Sequence, residues 1–236
     1  MKKIILRSAI SILFLALFAC EGPKASGLRG PEVFVNQMKA ERTDNFLGPQ
    51  SKQAKGEQRV LMVAVRFPDV EPKFSLDDIR QKVVVDLNDY VKEQSYGQAW
   101  VKPSFMGWVR LPESISRYRV SPNNFRVDRT RVRKLIEDTM TAIEKDVDFT
   151  LYKHMLIIPG AFTLPGRGYG MMCYCANPGM LTGVRGNPRF VTLESMGGAR
   201  FSGGVFVGVE NAPLGMFAHD FFHALGGVHN GKRLVP

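Results

Sequence analysis

The chain has 236 residues, 44% hydrophobic and 10% aromatic, which is enough for one sizeable core and ordinary for a globular protein. Its formal charge of +10 comes from 32 Lys+Arg against 22 Asp+Glu; the basic residues are scattered and form no aromatic-basic platform, which excludes a nucleic-acid binder. No internal repeat, collagen-like period or heptad pattern is present, so solenoids and coiled coils are excluded as well.

The opening stretch, MKKIILRSAISILFLALFAC, reads as an export signal rather than part of the fold. Lys2, Lys3 and Arg7 form a basic n-region, and Ile10 to Phe18 an apolar h-region too short to span a bilayer as a stable helix. It ends at Leu17-Phe18-Ala19-Cys20, which resembles the lipobox of bacterial lipoproteins. That resemblance implies removal of residues 1–19, a lipid on Cys20, and a protein anchored to a membrane of the bacterial cell envelope. Phe18 is bulkier than the usual residue at its position, and a plain secretory peptide releasing a secreted protein is the alternative. Without the three leader cations, 29 Lys+Arg face 22 Asp+Glu, a mature charge of about +7 that favours anionic surfaces.

Residues 20–58 are rich in Lys, Gln, Ser, Gly and Pro with few paired hydrophobics, the composition of a tether, although PEVFVNQM (Pro31–Met38) has some capacity for local structure. A domain spanning 59–236 is expected beyond it. Val60 to Phe67 is a β-branched, apolar run stopped by Pro68, hence a buried strand. Ser75 with Asp78 opens a helix whose stripe is Leu76, Ile79, Val83, Leu87, Tyr90 and Val91, and Gly97 ends it. QAWVKPSFMGWVRLP alternates as a strand or hairpin, with Trp100 and Trp108 giving bulk to the core.

A second helix is expected from Asp128 to about Lys145 on the stripe Val132, Leu135, Ile136, Met140 and Ile143. Arg129, Arg131, Arg133 and Lys134 at its front make a solvated face rather than a polyanion grip. HMLIIPG is a further buried strand, with His154 structural. Gly160 to Gly204 is a long glycine- and proline-rich excursion that contains Cys173 and Cys175, two thiols too close in sequence for an unstrained bridge. They are either a metal or redox pair or a loop that happens to hold two thiols. GGVFVGVE (Gly203–Glu210) is the last strand. Helices and strands are mixed rather than strictly alternating, so the fold class is α+β.

The chemistry concentrates in AHDFFHALGGVHN, Ala218 to Asn230. Asn211 can cap and Pro213 can open its helix, and Gly226-Gly227 can close it. Leu214, Phe217, Ala218, Phe221, Phe222 and Leu225 form the core stripe, with Met216, His219, Asp220 and His223 on the opposite side. His219 and His223 are four residues apart, so both imidazoles project from one helical face and can share a Zn²⁺ ion. Catalytic zinc needs a third protein ligand, and the turn at Gly226 allows His229 to supply it. Three of the four histidines of the chain lie within these residues. Asp220 stands beside the first ligand, where a carboxylate would act as general base, but it is one methylene shorter than Glu. It is either a weakened base or a partner that orients a ligand histidine.

With these residues in place, the chain resembles the immune inhibitor A family of secreted bacterial zinc metallopeptidases. RVLMVAVRFPDV is similar to that family's first core strand, NDYVKEQSYGQAWVKPSFMGWVRLP to its helix ending in Ser-Tyr-Gly and the strand beyond, and HMLIIPGA and GMFAHDFFHALGG follow in the same order. The likeness covers about Arg59 to Asn230. It implies a metzincin-like domain: a mixed, mostly parallel sheet flanked by two long helices, plus the zinc-site helix. It also implies that His219 and His223 are ligands and that Asp220 holds the base position, for hydrolysis of peptide or protein substrates. The family commonly has Asp where His229 stands, and either residue binds zinc. Two departures weigh more: Asp220 replaces Glu, and only seven residues follow His229, which leaves no Met-turn. The chain is therefore expected to be a zinc endopeptidase, possible truncation included, or a catalytically degenerate surface lipoprotein that acts as a binding module.

Overall fold

β1 (Gly56–Arg66) begins three residues before Arg59, so the strand takes in the last residues of the expected tether. Val60 to Val65 are all buried, because β1 lies in the middle of the sheet with both faces covered, which explains a continuous apolar run without polar alternation. The computed structural model describes residues 54–121, 127–164, 167–168, 170, 173–175, 193–226, 228–229 and 232–233. The chain divides into Met1–Phe46 and Leu47–Pro236, and all described residues belong to the second unit. Residues 1–53, which include the expected leader and Cys20, lie outside them.

The protein is α+β. Four strands run parallel in the order β2 (Ala99–Arg110), β1, β3 (His154–Pro159) and β9 (Gly204–Gly208). Short β6 (Cys173–Cys175) closes the far edge antiparallel to β9. Within the excursion before β9, the described residues also form the hairpins β4 (Thr163–Leu164) with β5 (Arg167–Gly168), and β7 (Leu193–Glu194) with β8 (Arg200–Phe201). β2 is one continuous edge strand, which settles the strand-or-hairpin ambiguity, and an edge tolerates Pro103, which has no ladder N–H to give. The two tryptophans part company: Trp108 packs half-buried against the core, whereas Trp100 is 39% exposed and adds no core bulk.

The first expected helix is three joined segments: α1 (Leu76–Arg80), a π-helical stretch Gln81–Asp86, and α2 (Leu87–Gln94). Ser75 caps it by accepting the Asp78 N–H at 3.1 Å, and Ile79, Val83, Leu87 and Val91 are buried. Gln81 donates to Asp86 at 2.8 Å, a spacing of five that the wider π turn brings together. The Gly97 N–H closes on the Lys92 carbonyl at 2.8 Å with φ +74°, a left-handed glycine stop. α3 (Ile115–Tyr118) is a single turn. α4 (Arg129–Ile143) is capped by Asp128, which accepts from Thr130 and Arg131, and its stripe is buried as expected. Three residues of its basic front make surface ion pairs: Arg131 to Asp128 (3.2 Å), Arg133 to Glu137 (2.7 Å), and Lys134 to Glu113 (2.8 Å) and Asp138 (2.9 Å).

The crossovers from β1 to β2 and from β2 to β3 run in opposite directions along the sheet. Right-handed connections therefore place α1–α2 on one face and α4 on the other. The last helix, α5 (Leu214–Gly226), packs beside α2 and beneath β9. Among the described residues no helix is long and apolar enough to cross a membrane.

His154 opens β3 and is 3% exposed; its Nε2 lies 3.3 Å from Gln58 Oε1 and its ring meets Phe221 edge-on at 5.5 Å. Burial, with the nearby Lys153 charge second, pushes its pKa down to about 4. The folded protein thus resists a proton that the unfolded chain accepts near 6.5, so this contribution is complete above pH 6.5 and lost as pH falls towards 4. Urea melts of wild type at pH 7 and pH 4.5 are expected to differ through this group by roughly 2 kcal/mol. His154→Leu should shrink the difference by that amount; an unchanged difference would refute the assignment.

Candidate metal site

α5 starts just after Pro213, whose carbonyl accepts the Met216 N–H at 3.0 Å. Phe217, Ala218, Phe221, Ala224 and Leu225 are buried. Phe221 meets Phe206 of β9 at 5.5 Å, and Phe222 leans on Tyr90 of α2 at 6.1 Å. Gly204 allows the close approach: a Cβ there would come within 2.9 Å of both the Ala224 methyl and His154 Nδ1. Asn211 does not cap α5; its side-chain oxygen accepts the Thr163 N–H at 3.1 Å and ties down the excursion after β3.

This packing leaves one stripe of α5 free of the core. His219 is exposed, His223 is half-buried, and their Nε2 atoms are 3.0 Å apart with the rings edge to face at 4.5 Å. Two nitrogens bound to one tetrahedral ion at zinc–nitrogen distances lie about 3.3 Å apart, so the pair needs only a few tenths of an ångström of adjustment to share a cation. Asp220 completes the group: the candidate ligand atoms of His219, Asp220 and His223 all lie within 4.8 Å of one another. These three residues can hold a metal ion.

Asp220 departs from the expectation that it shares the exposed face. It is only 7% exposed, and its Oδ2 is buried with no hydrogen-bond partner. Burial alone raises its pKa to about 7, because a dry site without an N–H donor disfavours the carboxylate. A cation at the imidazoles would reverse that preference. A buried oxygen without a partner is costly unless something completes it, and a divalent ion or its water would do so.

The backbone of His229 lies in β10 (Val228–His229), a hairpin with β11 (Lys232–Arg233) directly after α5; its side chain lies outside the described residues. The helix ends at Gly226, as expected. Cys20 also lies outside the described residues. Cys173 and Cys175 sit in β6 opposite Gly208 and Phe206, so the glycine-rich excursion returns to the sheet edge beside the site helix; their side chains are likewise outside.

Sequence reasoning missed Glu210, which is fully buried between β9 and α5. Its Oε2 accepts the N–H groups of Lys73 (2.9 Å) and Phe74 (3.0 Å), holding the loop after β1. Lys82, in the π-helical stretch, donates to the Glu210 and Ala212 carbonyls at 3.1 Å each. Together they fix the approach to α5 from two distant segments. The available signal was an acidic residue at the end of the apolar run GGVFVGVE.

The fold and site thus define an α+β protein with a His-Asp-His group on its last long helix. No protein-family model and no curated protein matches the chain.

Proposed function

We propose that the chain is an exported, zinc-dependent endopeptidase of metzincin-like architecture, similar to the immune inhibitor A family and held at a bacterial envelope by a lipid on Cys20. The observation that carries this reading is the pairing of His219 and His223, Nε2 to Nε2 at 3.0 Å, beside the partnerless oxygen of Asp220. His219 and His223 would hold the ion, with His229 as third ligand from the turn after α5. Bound zinc supplies Lewis acidity, which polarises a peptide carbonyl and acidifies water. Asp220 would take the proton from the attacking water and return it to the leaving amine, a cation at the imidazoles favouring the carboxylate form that a base needs.

The test is metal analysis of the purified mature protein, followed by casein hydrolysis with and without a chelator. About one zinc per chain and chelator-sensitive cleavage are expected. Absence of stoichiometric zinc, or cleavage indifferent to chelation, would reject the proposal.

One observation favours a second reading. Asp220 is both short and buried, so its carboxylate has little freedom to follow a proton from water to amine. A protein that keeps the metal but cleaves nothing would be a degenerate peptidase serving as a surface binding module. Full zinc occupancy with no hydrolysis above buffer selects it.

A further inference from the structure

We propose that the end of the sheet where the chain enters the fold is a membrane-contact surface for anionic phospholipid headgroups. β1 and β2 outrun β3 at this end: Gly56 to Arg59 pair with Ala99 to Lys102, whereas β3 begins opposite Val60. On this two-stranded ribbon Gln58 and Val101 are buried, so alternation places Glu57, Arg59, Trp100 and Lys102 together on the other face.

That face is open. Trp100 is 39% exposed, and Tyr96, in the turn before β2, is 93% exposed. Tyr96 is the one non-glycine residue with positive φ among those described, at 51°, a conformation unusual for a bulky side chain. The side chains of Arg59 and Lys102 are 48% and 60% exposed, and both pair with Glu57, at 2.8 and 3.4 Å. Lys153 reaches the Glu57 carbonyl at 2.8 Å, and Lys55 is exposed where the chain enters. Two of these cations pair with the Glu57 carboxylate, while Lys153 lies on its backbone and Lys55 beside it in the chain. Arg59, Lys102, Lys153 and Lys55 against Glu57 leave an excess of positive charge on and beside the ribbon.

Indole and phenol rings settle where apolar chains meet headgroups, and Lys and Arg stems lie along apolar surface while their heads stay wet. Basic groups near an anionic leaflet are each worth roughly a fivefold gain in partitioning. A lipid on Cys20 would bring a bilayer within reach of the domain, whose described chain enters at this end. The orientation therefore rests on the anchored reading, while the surface itself can be assayed without it.

The experiment uses the mature chain carrying Cys20→Ser, which cannot be acylated, and co-sedimentation with phosphatidylcholine vesicles with and without phosphatidylglycerol. Binding is expected only with phosphatidylglycerol and should fall with added salt. Arg59→Glu with Lys102→Glu should weaken it at least about twentyfold, at roughly fivefold per charge, and Trp100→Phe should lose the vesicle-induced blue shift of tryptophan emission. All three substitutions are at exposed positions, and unchanged thermal melts confirm the fold. Equal sedimentation of parent and double variant, or no preference for the anionic vesicles, overturns the inference. Mass spectrometry of Cys20 reports separately on the anchor: no lipid with intact vesicle binding removes the anchor and keeps the surface, and lipid without vesicle binding does the reverse.

Discussion

His223→Ala is expected to lose zinc on dialysis and to cleave casein no faster than buffer. His219 and His223 stand within 3.0 Å, Nε2 to Nε2, so removing either imidazole removes half of the nitrogen pair that grips the ion. Loss of an outer-shell partner of a metal ligand already costs about 10–100-fold in affinity or activity, so loss of the ligand itself should exceed a hundredfold. The substitution falls outside the buried stripe of α5, so the apo protein should melt close to wild type. Zinc should raise the melting temperature of wild type and leave His223→Ala unmoved, because only a ligand that binds the folded state shifts its stability. Equal zinc content and equal cleavage in the two proteins would remove the metal site from the mechanism.

Asp220→Glu is expected to raise hydrolysis, by about a hundredfold if reach is the only defect of the site. The carboxyl of Asp220 lies in the right cluster but starts from a buried position, and one more methylene carries the oxygens out towards the imidazoles. The gain should appear in kcat with little change in KM, since the base acts on water rather than on substrate binding. No gain would shift weight to the binding-module reading. Asp220→Asn is the complementary variant and should remove hydrolysis. It also has a signature in the metal-free protein. With a folded pKa near 7 against 3.8 unfolded, the contribution of Asp220 to stability is complete below the lower value and lost as pH rises through 7. The amide cannot ionise, so metal-free Asp220→Asn should hold its stability between pH 3.8 and about 7, the window over which wild type declines, and above pH 7 both should be flat.

Much of the fold was legible because its signals are local. Ser75 caps the helix it was expected to open, and Asp128, expected only as the start of its helix, caps that one, since a cap needs only the N–H groups two or three residues on. The runs at Val60, His154 and Gly204 became buried strands because an apolar stretch too short for a helix has few other stable forms. The pairing of His219 with His223 follows from helical geometry alone.

Other features were set by distant partners. Trp100 was expected in the core, yet it sits where β1 and β2 extend past β3, and strand register alone exposes it. Asp220 was expected on the face opposite the core stripe of α5, yet in the packed helix it is buried. Glu210 acquires its role from Lys73 and Phe74, 137 and 136 residues earlier in the chain.

The amino-acid sequence by itself therefore determined the helices, the buried strands and the two imidazoles that could share one ion, because those depend on residues within a turn or two of one another. Tertiary structure decided the strand order, the exposed ribbon at Trp100 and the sealed, partnerless carboxylate of Asp220. Burial and electrostatic environment are properties of neighbours in space, and no spacing along the chain encodes which neighbours will arrive.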